Sequence, residues 1–175
     1  AGEALPEGHP FREIRAHPTG PTTPQIWILG SSDYGARLAA HLGLPYAYAY
    51  FFTEGRGTEE ALALYRRNFR PSPRHAQPWA TICVWALAAD TEAEAQHHFT
   101  SRAKWRLFRD RGIFLSLETP EAAAAHPFTD MERARVEQMR RDAFVGTGPD
   151  VAGRVRDLAR RLGLRADRAH DRGIV

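Results

Sequence analysis

Two adjacent serines, Ser31 and Ser32, follow a short apolar run and precede a helix-like segment in the stretch QIWILGSSDYGARLAAHLGL. At the start of a helix, free backbone N–H groups and the helix dipole favour an anion. The two hydroxyls add donors, and the nearby Gly35 allows a ligand to approach closely. The pattern therefore indicates a phosphate site, but serine is also among the commonest helix N-caps, so capping alone explains it equally simply.

The sequence GSSDYG is neither of the two best-known phosphate-binding motifs. It lacks the lysine of a P-loop and the glycine spacing of the Rossmann fingerprint. A second turn, VGTGPD, precedes the last helical segment. Its Thr147 and Asp150 have the spacing of a capping box, so a helix start is its first interpretation.

Three tyrosines, Tyr46, Tyr48 and Tyr50, alternate with alanine in the run YAYAYFF. If this run is a strand, all three point to one side. They then either pack in the core or line a pocket for a flat ligand. Tyr50 lies at the predicted carboxyl end of the strand, where an aromatic ring system can pack against it.

No metal site or nucleophile is predicted. The chain has eight histidines but no H-x-H, H-E-x-x-H or Cys-x-x-Cys spacing, and no G-x-S-x-G elbow. His97 and His98 are adjacent, so on a helix they point about 100° apart. The single cysteine, Cys83, lies in an apolar run and is expected to pack as a small hydrophobe.

The composition, with 43% apolar and 26% charged residues, is typical of a globular protein. The sequence has no run of eighteen apolar residues and no signal peptide, so we expect a cytoplasmic protein without a membrane partner. Its formal charge is +3, but the arginines are spread among acidic residues. We therefore expect no nucleic-acid partner.

The elements that must position these residues alternate between strand and helix. Residues 1–24 read as an irregular lead-in, and apolar strands are predicted at QIWILG, YAYAYFF and WATICVWALAA, with a short last strand at AFVG. An all-helical insertion precedes that last strand and the last helix. This order predicts an α/β fold with a parallel sheet and functional loops at the carboxyl ends of the strands; the pattern alone leaves open an open sheet or a closed barrel.

Helix boundaries and buried faces follow from spacing. Thr91 with Glu94 and Thr129 with Glu132 predict two capping boxes, and Thr58 is a predicted N-cap. Three apolar stripes are expected to be buried, comprising Tyr34, Leu38 and Leu42; Leu62, Tyr65 and Phe69; and Val151, Val155, Leu158 and Leu162.

The blocks PQIWILGSSDYGARLAAHLGLPYAYAYFF, ALALYRRNFRPS, ICVWALAADTEAEA and AFVGTGPDVAGRVRDLARRLG resemble the luciferase-like flavin-dependent monooxygenases, close to the bacterial luciferase α-subunit type. The resemblance implies a (β/α)8 TIM barrel that uses reduced flavin mononucleotide (FMN) and O2 to oxygenate a small organic substrate. Some members use the deazaflavin F420, and a flavin reductase supplies reduced FMN.

The resemblance also implies roles for particular residues. Ser31, Ser32 and Gly35 fall where the family binds the flavin phosphate, although relatives often carry a hydroxyl residue in place of Gly35. Tyr50 falls beside the isoalloxazine ring. The family's catalytic histidine lies on the first four strands, so no residue of this chain inherits a catalytic role.

By resemblance, residues 25–163 correspond to the C-terminal half of the barrel, from strand 5 to strand 7 with the last helices. A half barrel leaves open sheet edges, so we expect an inactive fragment that self-associates or pairs with a missing N-terminal half. The alternative is a non-enzymatic flavin- or phosphate-binding module that self-associates. A small α/β phosphate-ester enzyme is disfavoured because no acid–base pair is visible near the turn.

Residues 164–175 form an atypical, polar tail where the family has an apolar strand. Codons compatible with DRAHDRGIV, read one nucleotide later, can spell TELMIVAS. We therefore hypothesise a frameshift near residue 166, which inspection of the encoding DNA tests directly.

Overall fold

The computed structural model describes residues 5–14 and 24–164, and residues 5–14 form only turns and irregular backbone. The tail from residue 165, with its hypothetical frameshift, lies outside the described residues. The strands are β1 (Ile28–Gly30), β2 (Tyr46–Tyr48), β3 (Ala80–Ile82), β4 (Ala86–Ala89) and β5 (Phe144–Thr147). The helices are α1 (Asp33–Leu42), α2 (Tyr50–Thr53), α3 (Thr58–Asn68), α4 (Glu92–Arg109), α5 (Pro120–Ala124), α6 (Asp130–Asp142) and α7 (Gly148–Arg161).

The strands are parallel, and within each sheet they lie in the order of the sequence. One sheet has the order β1-β2-β3, with Tyr46 opposite both Ile28 and Ala80, and a second sheet pairs β4 with β5. Helices connect the strands, with α4, α5 and α6 forming the helical insertion before β5. The predicted parallel α/β fold is confirmed, and sequential strand order is the winding of a barrel rather than of a doubly wound sheet.

The run WATICVWALAA was predicted as one strand, and it is instead two short strands in different sheets. Cys83 N donates to Tyr48 O (2.8 Å), so the run first follows β2. Phe144 N donates to Trp85 O (3.3 Å), so two residues later the run follows β5. The ladder is broken because the backbone changes its partner strand between these residues.

The prediction of a single strand over YAYAYFF was also wrong. β2 ends at Tyr48, and Tyr50 begins the short helix α2. After Ala49 N donates to Gly30 O (2.8 Å), the next turn bonds to itself through Phe52 N and Ala49 O (3.0 Å). Residues with a high strand propensity form a short helix here, because tertiary packing outweighs that propensity.

The predicted buried stripe of α1 is wrong. Tyr34 and Leu42 are 75% and 48% exposed. The buried face of α1 consists of small residues instead, namely Gly35, Ala36, Ala39 and Ala40. Small side chains occupy this face because α1 packs closely against both β1 and α3, which leaves no room for large side chains.

Helix α3 does not begin as predicted. Its N-cap is Gly57, with φ 75°, and not Thr58. Thr58 is buried in the first turn, where its Oγ1 donates to Gly55 O (2.7 Å). The predicted buried stripe of α3 is confirmed, since Leu62 and Tyr65 are fully buried and Phe69 packs against the same core.

The other predicted helix starts are confirmed by threonine caps. The side chains of Thr91, Thr129 and Thr147 each accept a hydrogen bond from the amide three residues later, and Thr129 forms the full capping box with Glu132. The capping box predicted at Thr91 is incomplete, because the Glu94 carboxylate accepts from Asp90 N (3.2 Å) rather than from Thr91 N. The α7 stripe packs on the core as predicted.

Two apolar cores result. The larger core joins α1, α3 and α7 to the strands, and the smaller core joins α4 and α6 to β5. None of the helices within the described ranges is both long and apolar enough to cross a membrane.

Candidate functional site

The serine turn lies at the carboxyl end of β1, where it leads into α1. Ser32 is the N-cap of α1 in an extended conformation (φ −146°, ψ 169°), and its side chain makes no capping hydrogen bond. Ser32 is exposed and Ser31 is half-buried. The hydroxyl of Ser32 is therefore available to a ligand, unlike the threonine hydroxyls that cap four other helices of the described chain.

The backbone of the same turn offers further donors. The first hydrogen bond within α1 runs from Ala36 N to Ser32 O (3.3 Å). The amides of Asp33, Tyr34 and Gly35 precede it and are the free N–H groups that every helix start presents. The turn can therefore bind an anion through amides and hydroxyls together, although the exposed carboxylate of Asp33 lies in the same first turn.

Two buried tyrosines support this turn from below. The single hydroxyl hydrogen of Tyr46 is shared between Gly30 O (3.3 Å from Oη) and Ser32 O (3.4 Å). Tyr48 Oη donates to Arg56 O (2.6 Å) and lies 3.5 Å from Ser31 O. Burial, followed by the nearby Tyr48 and Asp33, raises the pKa of Tyr46 to about 12, so its hydroxyl remains a donor.

These contacts decide between the two interpretations of the alternating tyrosines. Tyr46 and Tyr48 are fully buried in the core on the helix side of the sheet, and they do not line a pocket. Tyr50 differs because it begins α2. Its ring lies 6.2 Å from that of Phe144 and borders a cleft.

Gly35 is buried and faces the strand rather than solvent. A Cβ on Gly35 would lie 3.2 Å from the Cα of Gly30 and 3.4 Å from the ring of Tyr46. The residue type is explained by this close approach of helix and strand. Any contact of Gly35 with a ligand is thereby limited to its backbone amide.

The cleft beside Tyr50 has a volume of about 620 Å³, including its open mouth. It lies between α4 and α6 on one side and β4 and β5 on the other. Its walls are mainly apolar, and four charged residues line it, namely Glu54, Arg102, Arg106 and Asp142.

The sequence patterns did not reveal this cleft. The available signal was the spacing of Arg102, Arg106 and Arg109, which places three cations along one side of α4 with few acids beside them. Ser31 and Ser32 follow β1, and Tyr50 follows the neighbouring β2, so these residues share the carboxyl edge of the sheet. Within the described residues, no cluster of His, Cys, Asp and Glu is suited to a metal ion.

Comparison with known proteins gives a consistent result. A profile of the luciferase-like monooxygenases matches residues 1–166. A luciferase-like monooxygenase of Escherichia coli is 36% identical over 135 residues, which is 77% of this chain and 40% of that protein. The uncharacterised protein YceB of Bacillus subtilis is 33% identical over 156 residues, which is 89% of this chain and 47% of YceB.

The crystal structure of apo-MsnO8 is similar with a TM-score of 0.71 and 30% identity, covering 90% of this chain and 47% of that chain. The similarity supports the predicted fold class. The chain spans about half the length of the curated relatives it matches.

Proposed function

Because this chain belongs to the luciferase-like monooxygenase family, we propose that it forms the phosphate side of a reduced FMN site in an enzyme that oxygenates an organic substrate. The observation that carries this proposal is the N-cap of α1, where Ser32 lies in cap geometry but makes no side-chain cap. A serine that does not stabilise its own helix is suited to a ligand.

The residues of the turn fit a phosphate group. Ser31 and Ser32 supply hydroxyl donors, and the first-turn amides of α1 supply N–H donors at the positive end of the helix dipole. Gly35 contributes only its amide. The Tyr46 hydroxyl beneath the turn lies within hydrogen-bond distance of the carbonyls of Gly30 and Ser32, so it helps to fix the donors before a ligand arrives.

Tyr50 is proposed to lie beside the flavin ring. It follows β2, borders an apolar cleft, and has room beside Gly55, since a Cβ on Gly55 would lie 2.5 Å from the Tyr50 ring. When bound, reduced flavin supplies the electrons that activate O2. The protein positions the cofactor and excludes water with these apolar walls.

The proposal includes a cytoplasmic flavin reductase as the source of reduced FMN. The deazaflavin F420 also carries a phosphate, so the serine turn suits both cofactors. Parallel titrations with the two cofactors distinguish them.

The test is a titration of the purified protein with oxidised and reduced FMN, and with riboflavin, which lacks the phosphate. We expect FMN to bind more tightly than riboflavin. Ser32→Ala should weaken FMN binding about tenfold, as expected for a hydrogen bond to a charged group, and leave riboflavin unaffected. Thr147→Ala, which removes a cap from α7, is the matched control and should not alter FMN binding.

Equal binding of FMN and riboflavin would overturn the phosphate assignment. Turnover is measured in the same samples with a flavin reductase and NADH. FMN binding without turnover is expected of this chain by itself, because none of its residues is assigned a catalytic role. A second candidate is a non-enzymatic flavin- or phosphate-binding module that self-associates.

The second candidate has its own support in β1. Within the described residues, β1 pairs only with β2. Its Leu29 is 57% exposed, and Ile26, which precedes the strand, is also exposed. An open apolar strand edge favours pairing with another chain. Light scattering coupled to size exclusion tests it, since a defined dimer supports self-association and a monomer opposes it.

A further inference from the structure

The cleft beside Tyr50 combines apolar walls with Arg102, a cation that forms no ion pair with the described residues. Trp85, Phe99, Met139 and Phe144 supply apolar wall area. A cleft of this kind, with a few polar groups in a mostly apolar lining, is the usual form of a small-molecule site. Its charged residues therefore decide which ligand it accepts.

Most of the charged residues in the cleft already have partners. Glu54 accepts from Arg135 Nη2 (2.6 Å), and Arg106 Nε donates to Asp110 Oδ1 (2.5 Å). Asp142 Oδ2 accepts from Gln138 Nε2 (2.8 Å). Ion pairs therefore neutralise Glu54 and Arg106, whereas Asp142, whose partner is an uncharged amide, keeps its negative charge.

Arg102 is different from the other charged residues. Its Nε is shielded from solvent without a hydrogen-bond partner, and its guanidinium makes no ion pair with any carboxylate of the described residues. The guanidinium carbon lies 4.0 Å from the centre of the Trp85 ring and 5.3 Å from that of Trp105. Burial, reinforced by Arg106, lowers the pKa of Arg102 to about 10, so it remains charged at neutral pH.

A half-buried guanidinium whose Nε has no hydrogen-bond partner is costly, and a bound anion that accepts from it lowers that cost. The planar guanidinium matches a carboxylate, which it binds through two parallel hydrogen bonds. A phosphate dianion fits less well, because the Asp142 carboxylate, which is not neutralised by an ion pair, lines the same cleft and repels a second negative charge.

We propose that this cleft binds an organic carboxylic acid, with its carboxylate on Arg102 and its apolar part along Trp85, Phe99 and Phe144. Binding of the acid stands on the cleft alone. Its identity as the oxygenase substrate rests on the function proposed above, and Tyr50, which borders both the cleft and the proposed flavin ring site, connects the two.

The experiment compares octanoate with octanamide, which has the same chain without the charge, by calorimetric titration of the purified protein. We expect octanoate to bind at least about tenfold more tightly. Arg102→Met should abolish this preference, whereas Arg109→Met should keep it. Arg109 is the matched control because it is an exposed cation on the same helix and does not line the cleft.

Equal affinities of octanoate and octanamide in the unmodified protein would overturn the proposal without any variant. So would an Arg102→Met variant, folded by circular dichroism, that still prefers octanoate. FMN is titrated into the same variants. Loss of FMN affinity in Arg102→Met with unchanged octanoate binding would assign Arg102 to the flavin and overturn the acid site.

The two proposals fail separately in this design. Octanoate preference that depends on Arg102, in a protein that binds no flavin, supports the acid site and overturns the proposed monooxygenase site. FMN binding that depends on Ser32, with no octanoate preference, does the reverse.

Discussion

Gly30 and Gly35 lie so close together that a Cβ on either residue would come within 3.2 Å of the other's Cα. This contact sets the distance between β1 and α1, and therefore the position of the serine turn between them. Neither residue can enlarge without moving backbone.

Gly35→Ala is therefore expected to destabilise the protein. Alanine gains about 1 kcal/mol over glycine in a helix, but overpacking costs about 1–3 kcal/mol, so the net loss should reach up to about 2 kcal/mol. Gly153→Ala in α7 is the control, because nothing lies within 4 Å of its added Cβ; it should stabilise by about 1 kcal/mol. Urea denaturation measures both, and a stabilised Gly35→Ala would contradict the close contact.

Ser32→Ala should leave the free energy of unfolding within about 0.5 kcal/mol of the unmodified protein, because the hydroxyl caps nothing. Thr147→Ala should cost about 1 kcal/mol, because that side chain accepts from Asp150 N. Thermal and urea unfolding of the two variants make the comparison. A loss in Ser32→Ala as large as that in Thr147→Ala would show that Ser32 is a cap after all.

Asp33→Asn should strengthen FMN binding. The exposed carboxylate of Asp33 lies in the first turn of α1, where it repels a bound phosphate. Removing this charge should make the free energy of FMN binding more favourable by about 0.3–1 kcal/mol. This corresponds to roughly a two- to fivefold gain in affinity. The gain should shrink in 1 M salt, which screens exposed charges; a gain that salt does not alter would point to a different cause.

The ionised carboxylate of Glu132 makes the stability of the folded protein depend on pH in the acidic range. The Thr129 amide and then Arg111 lower the pKa of Glu132 from 4.5 to about 2. Because the folded-state pKa is depressed, this contribution is fully present above about pH 4.5 and is lost as the pH falls towards 2. The melting temperature should therefore fall over that range.

Glu132→Gln isolates the charge, since glutamine can still accept the hydrogen bond from Thr129 N in the capping box. The variant should melt below the unmodified protein at pH 6, and the gap should close as the pH approaches 2. Melting curves at several pH values measure the gap. A gap that is constant with pH would mean that the side chain acts through shape alone.

The helix starts could be predicted from sequence because capping is local. Thr129 and Thr147 need only the amide three residues later, so their spacing is sufficient evidence. The α7 stripe could be predicted for the same reason, since its apolar residues lie on one helix face and pack against a single core. The order of strands and helices, and hence the parallel fold, followed from such local signals.

Apart from the start of α3, where Gly57 and not Thr58 is the N-cap, the failures depend on distant residues. Tyr34 and Leu42 have the spacing of a buried stripe, yet the close contact with α3 selected the alanines instead. Tyr50 begins α2 instead of extending β2, and its ring packs against that of Phe144, which is 94 residues away in sequence. The Arg102 guanidinium stacks on the Trp85 ring, which belongs to a different element. The residue pattern of helix α4 alone could not predict this contact.

The order of the strands has a consequence for how the chain folds during synthesis. Because β2, β3 and β5 each pair with the strand just before them in sequence, each of these strands is synthesised after its partner. Closing such short loops has a small entropic cost. The contact of Arg66 with the carbonyl of Leu162 at the end of α7 (2.7 Å) spans 96 residues, so it forms only after α7 has been translated and completes the larger core.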